Sequence, residues 1–225
     1  MKAVVFDFDG LILDTESAEY AAWSSVFADH GVKLELSDWS ACVGAGPHAF
    51  SAENHLESLV GEPIDQQAAL KSWQTRRDEI LIDIQPRAGI VELLDDLDAE
   101  RVPYAIASSS RSLWVDGFLQ NLGWRNRFVG VHTRDTSGHP KPNPASYKAA
   151  CQDLGIDPID AVALEDSTNG LLAARDAGLI AIAIPNPVTE SFDLSLAHKI
   201  VSSAEELSAQ KMRVIHAAAK AVSQL

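Results

Sequence analysis

Four short apolar runs constrain this chain more than anything else in it: AVVF (3–6), VPYAIA (102–107), AVAL (161–164) and LIAIAI (179–184). Each run is continuous rather than alternating, and each carries β-branched residues. A strand that shows one face to water alternates polar and apolar side chains, whereas a strand covered on both faces does not. The runs therefore predict a parallel sheet with helices on both sides. RFVGV (127–131) and HKIVSS (198–203) are weaker candidates for further strands.

Helical spacing fills the intervals. RAGIVELLDDLDAE (87–100) precedes the second run, and SLWVDGFLQNLG (112–123) follows it and stops at glycine. NPASYKAACQDLG (143–155) starts near a proline, and STNGLLAARDAG (167–178) starts with Ser/Thr; both end on glycine. Alternation of this kind specifies an α/β fold, a doubly wound and mostly parallel Rossmann-like sheet. Residues 15–84 break the rhythm. ESAEYAAWSSVFADHG (16–31), HAFSAENHLESLVG (48–61) and DQQAALKSWQTRRDEILIDI (65–84) read as helices, with no convincing strand among them. Tyr20, Trp23, Val26 and Phe27 share one helical face, so Trp23 reads mainly as core of this region. The expected organisation is an α/β core domain of residues 1–14 and 85–225 with an all-helical insertion of residues 15–84. Pro86 and Gly89 mark the return to the sheet.

Charge and composition exclude several classes. A formal net charge of -14 on 225 residues argues against a nucleic-acid or anionic-membrane surface, both of which need a basic footprint. The first apolar run is interrupted by Asp7 and is too short for a secretion signal or a membrane span. Two cysteines far apart, Cys42 and Cys151, suggest no disulfide framework, so a cytoplasmic setting is expected. None of the seven histidines falls in a pair spaced for zinc. No heptad or isolated apolar stripe advertises an oligomeric interface.

Polar clusters follow the strands. Asp7 and Asp9 follow the first; Ser108, Ser109, Ser110 and Arg111 follow the second; Glu165 and Asp166 follow AVAL. Lys141, in GHPKPNP, comes shortly after the weak strand at 127–131. Taken singly, each has a plain alternative: a solvated turn, a helix cap, a loop lysine, an acidic helix start. Together, at the carboxyl ends of parallel strands, they converge where such sheets bind ligands. Several carboxylates at one rim call for a hard divalent cation, and Mg²⁺ with its bridging of phosphate suits them. A lysine, a serine hydroxyl and backbone N–H groups suit phosphoryl oxygens. An aspartate can be a nucleophile, with a second carboxylate as acid and base.

The motifs FDFDGLILDTE, IASSS, HPKPNP and LEDSTNG, in this order along nearly the whole chain, resemble the haloacid dehalogenase-like (HAD) superfamily. The chain is similar to its phosphatase branch with an inserted all-helical cap domain, the group of β-phosphoglucomutase and phosphoglycolate or sugar-phosphate phosphatases. The resemblance implies that Asp7 is the nucleophile, forming an aspartyl-phosphate. It makes Asp9 the general acid and base, with a backbone carbonyl on Mg²⁺. Ser108 and Ser109 would bind the phosphoryl group, Lys141 would balance its charge, and Asp166 with Glu165 would serve the metal. Ser167 and Asn169 would support their loop. The substrate would be a small phosphorylated metabolite.

Within that group, Asp9 favours phosphoryl transfer over dehalogenation. Lys33 and Lys71 are expected to be surface lysines rather than the Schiff-base lysine of phosphonate-cleaving members. A phosphosugar mutase is the alternative, but Glu19 stands where its cap histidine is expected and Pro47 where its arginine is expected. A non-catalytic phosphometabolite-binding regulator is a further alternative. In CVGAGPHAF (42–50), Gly44 and Gly46 suit either close backbone approach to substrate or a flexible connection. His48 is the polar group with reach there, so these three are candidate specificity residues. Arg111 is either a helix-start arginine or a substrate contact.

Overall fold

The computed structural model describes residues 1–39, 43 and 50–222. Six strands form one sheet: β1 (Ala3–Phe6), β2 (Tyr104–Ala107), β3 (Val131–His132), β4 (Ala161–Glu165), β5 (Ile180–Ala183) and β6 (Lys199–Ile200). Their order is β3-β2-β1-β4-β5-β6, and every neighbouring pair is parallel. The four strong runs are strands, and so are parts of both weak ones. β3 and β6 keep two residues each; both are edges, where a short strand leaves few unpaired backbone groups.

The helices among the described residues are α1 (Thr15–Asp29), α2 (Leu36–Trp39), α3 (Ala52–Val60), α4 (Gln66–Leu81), α5 (Ile90–Ala99), α6 (Ser112–Asn121), α7 (Arg134–Ser137), α8 (Ala145–Asp153), α9 (Thr168–Ala177) and α10 (Ala209–Val222). The short α2 and α7 and the long α10 are additional to the sequence reading. None of the helices is long and apolar enough to cross a membrane.

The two faces of the sheet differ in side-chain size. Val4, Phe6, Ile106, Val162, Leu164 and Ile182 fill one face against Leu93, Leu94 and Leu97 of α5, Val115 and Leu119 of α6 and Met212 of α10. The opposite face is mostly alanine: Ala105, Ala107, Ala161, Ala163, Ala181 and Ala183, with Val5. Packing to interior density over such small side chains draws the covering helices close to the strands. α8 supplies Tyr147, Ala150 and the free thiol of Cys151, and α9 supplies Leu171, Ala173 and Ala174. This close approach brings Tyr147 and the start of α9 beneath the end of β4.

α1 to α4 lie in sequence between β1 and the next helix of the sheet layer, and they build an apolar cluster of Trp23, Val26, Phe27, Leu34, Trp39, Ala52, Leu56 and Ala69, joined by Val188 from the segment after β5. Trp23 is buried there, and its ring stacks on Trp73 with centroids 5.4 Å apart. The two crossings into this region run side by side: Leu13 pairs antiparallel with Pro86, and the Arg87 N–H donates to the Ile12 carbonyl at 2.9 Å. The Arg87 guanidinium donates to the carbonyls of Gly10 (2.6 Å), Ile184 (3.1 Å) and Pro185 (2.5 Å). Three backbone acceptors thus satisfy a largely buried cation and tie both crossings to the loop after β5.

Candidate active site

Strand register assembles the site. β1 lies between β2 and β4, with Phe6 opposite both Ile106 and Leu164. The next positions along the chain are Asp7, Ala107 and Glu165, and one step further lie Ser108 and Asp166. Ladder bonds hold these ends in place: Asp7 N–H donates to Leu164 O (2.9 Å), Ser108 N–H to His132 O (2.8 Å) and Ile184 N–H to Glu165 O (2.7 Å).

Asp7, Glu165 and Asp166 are buried, and each offers a carboxylate oxygen within 4.8 Å of the others. Lys141 joins two of them. Its Nζ donates to Asp7 Oδ1 and to Glu165 Oε1, the latter at 2.5 Å, and the residue is 2% exposed. It is no solvated loop lysine. Glu165 has three more donors: Tyr147 OH on Oε1 (2.5 Å), and Asp166 N–H (3.2 Å) and Ser167 Oγ (3.4 Å) on Oε2. Gly170 packs against this carboxylate so tightly that a Cβ would lie 2.0 Å from its atoms. Asp166 Oδ2 accepts from Asn186 Nδ2 at 2.7 Å, and Asn186 also donates to Gly10 O. Gly10, at φ +75°, has room for no side chain: a Cβ would lie 2.2 Å from Asp166 Oδ2.

Three carboxylates face one ammonium here. Burial, opposed by Lys141 and reinforced by Glu165, pushes Asp7 up to about 8. Burial and the charges of Asp7 and Glu165 push Asp166 well above the usual carboxylate range. Burial acts against the Lys141 charge, but Asp7 and Glu165 outweigh it and hold the ammonium protonated. Like charges confined in low dielectric raise each other's pKa, and a divalent cation reverses the sign of that interaction. The hard oxygen donor set therefore fits a metal such as Mg²⁺, which Asp7, Glu165 and Asp166 could hold.

Asp9 faces different partners. Oδ1 accepts from Thr15 Oγ1 (2.9 Å) and Trp114 Nε1 (2.7 Å), and Oδ2 from Ser110 Oγ (2.6 Å) and Ser108 Oγ (3.3 Å). Ser108 Oγ in turn accepts the Ser110 N–H, and Ser109 Oγ accepts the Lys141 N–H at 3.0 Å. Ser167 caps α9, accepting the Gly170 N–H. Asn169, expected to support that loop, also reaches out of it. In the first turn of α9, its amide points away and donates to Val43 O in the helical insert at 3.1 Å. Gly44, Gly46, Pro47 and His48 lie outside the described residues.

A cavity of about 460 Å³ opens above the rim, between Asp7, Asp9, Ser109, Lys141 and Asp166 on one side and Glu19, Trp23, Trp39, Trp73 and Arg77 on the other. Arg111, exposed at the start of α6, is part of its wall. Lys33 pairs with Glu35 at the surface, and Lys71 is exposed. Glu19 accepts from Trp73 Nε1 at 2.9 Å and lies 3.6 Å from Arg77. Burial raises it to about 7 against the pull of Arg77 and Trp73.

Thr15, Arg87, Ser110, Trp114, Tyr147 and Asn186 are site partners that sequence reasoning did not assign. Asn186 carried the signal used for the others, a polar residue just beyond an apolar run. Tyr147 carried none, because an aromatic on a buried helix face reads as core.

A carboxylate-and-lysine rim at the carboxyl ends of a parallel sheet can hold a metal and an anionic ligand, and the comparisons place it in a hydrolase family. Residues 1–178 match the family model of the haloacid dehalogenase-like hydrolases. The chain belongs to that family, as a phosphoric monoester hydrolase. It is similar to YhcW of Bacillus subtilis, 34% identical over 210 residues that span 91% of this chain and 93% of that one. Fructose-1-phosphate phosphatase YqaB of Escherichia coli is 29% identical over 181 residues, 80% of this chain and 95% of its own. A HAD family hydrolase of Deinococcus radiodurans R1, solved with bound phosphate and sodium, is 26% identical with a TM-score of 0.78, covering 98% of this chain and 96% of that one.

Proposed function

We propose that this protein hydrolyses a small phosphate monoester, a sugar or polyol phosphate, with Mg²⁺ at the rim and an aspartyl-phosphate formed on Asp7. The observation that carries the reading is the buried trio Asp7, Glu165 and Asp166, with Lys141 joining the first two. Bound Mg²⁺, held by Asp7, Asp166 and the Asp9 carbonyl, would neutralise these carboxylates and the phosphoryl oxygens. Glu165, already accepting from four donors, fixes Lys141 and serves the metal through water.

Asp7 attacks phosphorus as the bond to the leaving oxygen breaks, and Asp9 gives that oxygen a proton. The Asp9 carboxylate then takes a proton from water while the water oxygen attacks phosphorus. The bond to Asp7 breaks, restoring its carboxylate and releasing phosphate. Ser108, the Ser109 N–H and Lys141 bind the phosphoryl group. The helical segment 15–84 is the cap that excludes water from this cavity and shapes it. The fructose 1-phosphate named for YqaB and the phosphate in the Deinococcus hydrolase support the substrate class. Glu19, engaged by Trp73 and Arg77 where a mutase would need histidine, supports a hydrolase over a mutase. The chain's two cysteines, one of them the buried thiol Cys151, fit a reducing cytosol.

The test is phosphate release across a panel of phosphorylated sugars, polyols and short acids, with Mg²⁺ and with EDTA. Turnover that EDTA abolishes and Mg²⁺ restores is expected. Turnover indifferent to EDTA, or isomerised product in place of free phosphate, would refute it.

A further inference from the structure

We propose that Trp114 is the positioning residue of Asp9 and that Arg77, from the helical insert, holds Trp114 in that role. This rests on the acid–base reading of Asp9. Of the four donors to the Asp9 carboxylate, three are hydroxyls, which can rotate and exchange donor for acceptor. The fourth, Trp114 Nε1 at 2.7 Å, is an indole N–H and can only donate. It fixes Oδ1 as an acceptor and pins the side-chain torsion. The proton that Asp9 passes to and from the substrate is then handled at Oδ2, beside the hydroxyls of Ser110 and Ser108.

The indole is itself held. Its ring meets Phe118 edge-on, with centroids 4.9 Å apart. The Arg77 guanidinium lies 5.2 Å from the Trp114 centroid and 4.6 Å from that of Trp73, one ring from α6 and one from α4. Glu19 faces Arg77 and accepts from Trp73. A continuous path of contacts therefore runs from the insert to the acid–base group: Glu19 and Trp73, Arg77, Trp114, Asp9. Arg77 thus lies over the ring of the residue that aims Asp9.

The test compares two esters of similar shape, phenyl phosphate and 4-nitrophenyl phosphate, in the Mg²⁺-loaded protein. Phenol is a poor leaving group and needs the proton, whereas 4-nitrophenol leaves largely without it. Trp114→Phe keeps a ring and removes the donor. It is expected to lower kcat/KM about tenfold more for phenyl phosphate than for 4-nitrophenyl phosphate, part of the ~10²–10⁴-fold that general acid–base catalysis supplies. Arg77→Gln shows the same selectivity by a smaller factor. Equal losses on both esters in Trp114→Phe, or none on either, overturn the proposal. If Trp114→Phe does not fold, Arg77→Gln decides by the same criterion. Asp9→Asn runs alongside. A selective Asp9→Asn with a non-selective Trp114→Phe removes this proposal alone. A non-selective Asp9→Asn removes the acid–base reading and takes the proposal with it.

Discussion

The floor and the roof of the cavity are built on different terms. On the floor, Asp7, Lys141, Glu165 and Asp166 are each at most 6% exposed, and their partners come from β1, β4, α8 and the loops after α7 and β5. Each of these groups is held by partners from more than one element. On the roof, Glu19, Trp73 and Arg77 stand on two helices, α1 and α4, and their partners are one another, Trp23, Asp78 and Trp114. Their geometry depends on a few side chains rather than on strand register. The contrast teaches that the buried charges sit where many elements hold them, while the facing wall of the cavity rests on few.

Asp7→Asn breaks the floor outright. Without the attacking oxygen, kcat falls by more than about 10³-fold while the fold survives, read by phosphate release and circular dichroism. Gly170→Ala sharpens the comparison in stability: the added methyl meets the Glu165 carboxylate with no room to yield, and about 3 kcal/mol is lost in denaturant unfolding. Tyr147→Phe removes one of the four donors to Glu165 and costs about 2 kcal/mol, as expected for a hydrogen bond to a charged group.

The roof gives the smallest effect, one that depends on pH. Glu19 titrates near 7 in the folded protein, against about 4.5 in the unfolded chain. Between these values the folded state keeps a proton that the unfolded state has released, so this group's contribution to stability declines as pH rises from 4.5 through 7. Replacing it removes the decline. The stability difference between Glu19→Gln and the parent should grow towards the variant between pH 5 and 8, on the order of 1 kcal/mol because the side chain remains 23% exposed. A flat difference across that range would show that Arg77 and Trp73 fully offset the burial of Glu19.

How much of this was legible in the sequence follows from the same division. Continuous apolar runs announce strands buried on both faces, so β1, β2, β4 and β5 and the polar residues behind them were readable together. α10 was not, because its buried positions, Ala209, Met212 and His216, are too few and too mixed to mark a face. Tyr147 and Trp114 were not, since each reads as core until packing shows where its single polar atom points. Asn169 sat inside a readable motif, yet its partner, Val43, lies 126 residues away. Arg77 gains its meaning from two rings on separate helices, which no local pattern encodes.

The antiparallel bridge between Leu13 and Pro86, under the three carbonyls gathered by Arg87, gives the helical segment a common doorway in which its two ends meet. The inserted chain therefore leaves and rejoins the sheet layer side by side. Helices exchanged at that doorway would keep the floor of the site but lose Arg77, the insert's contact with Trp114.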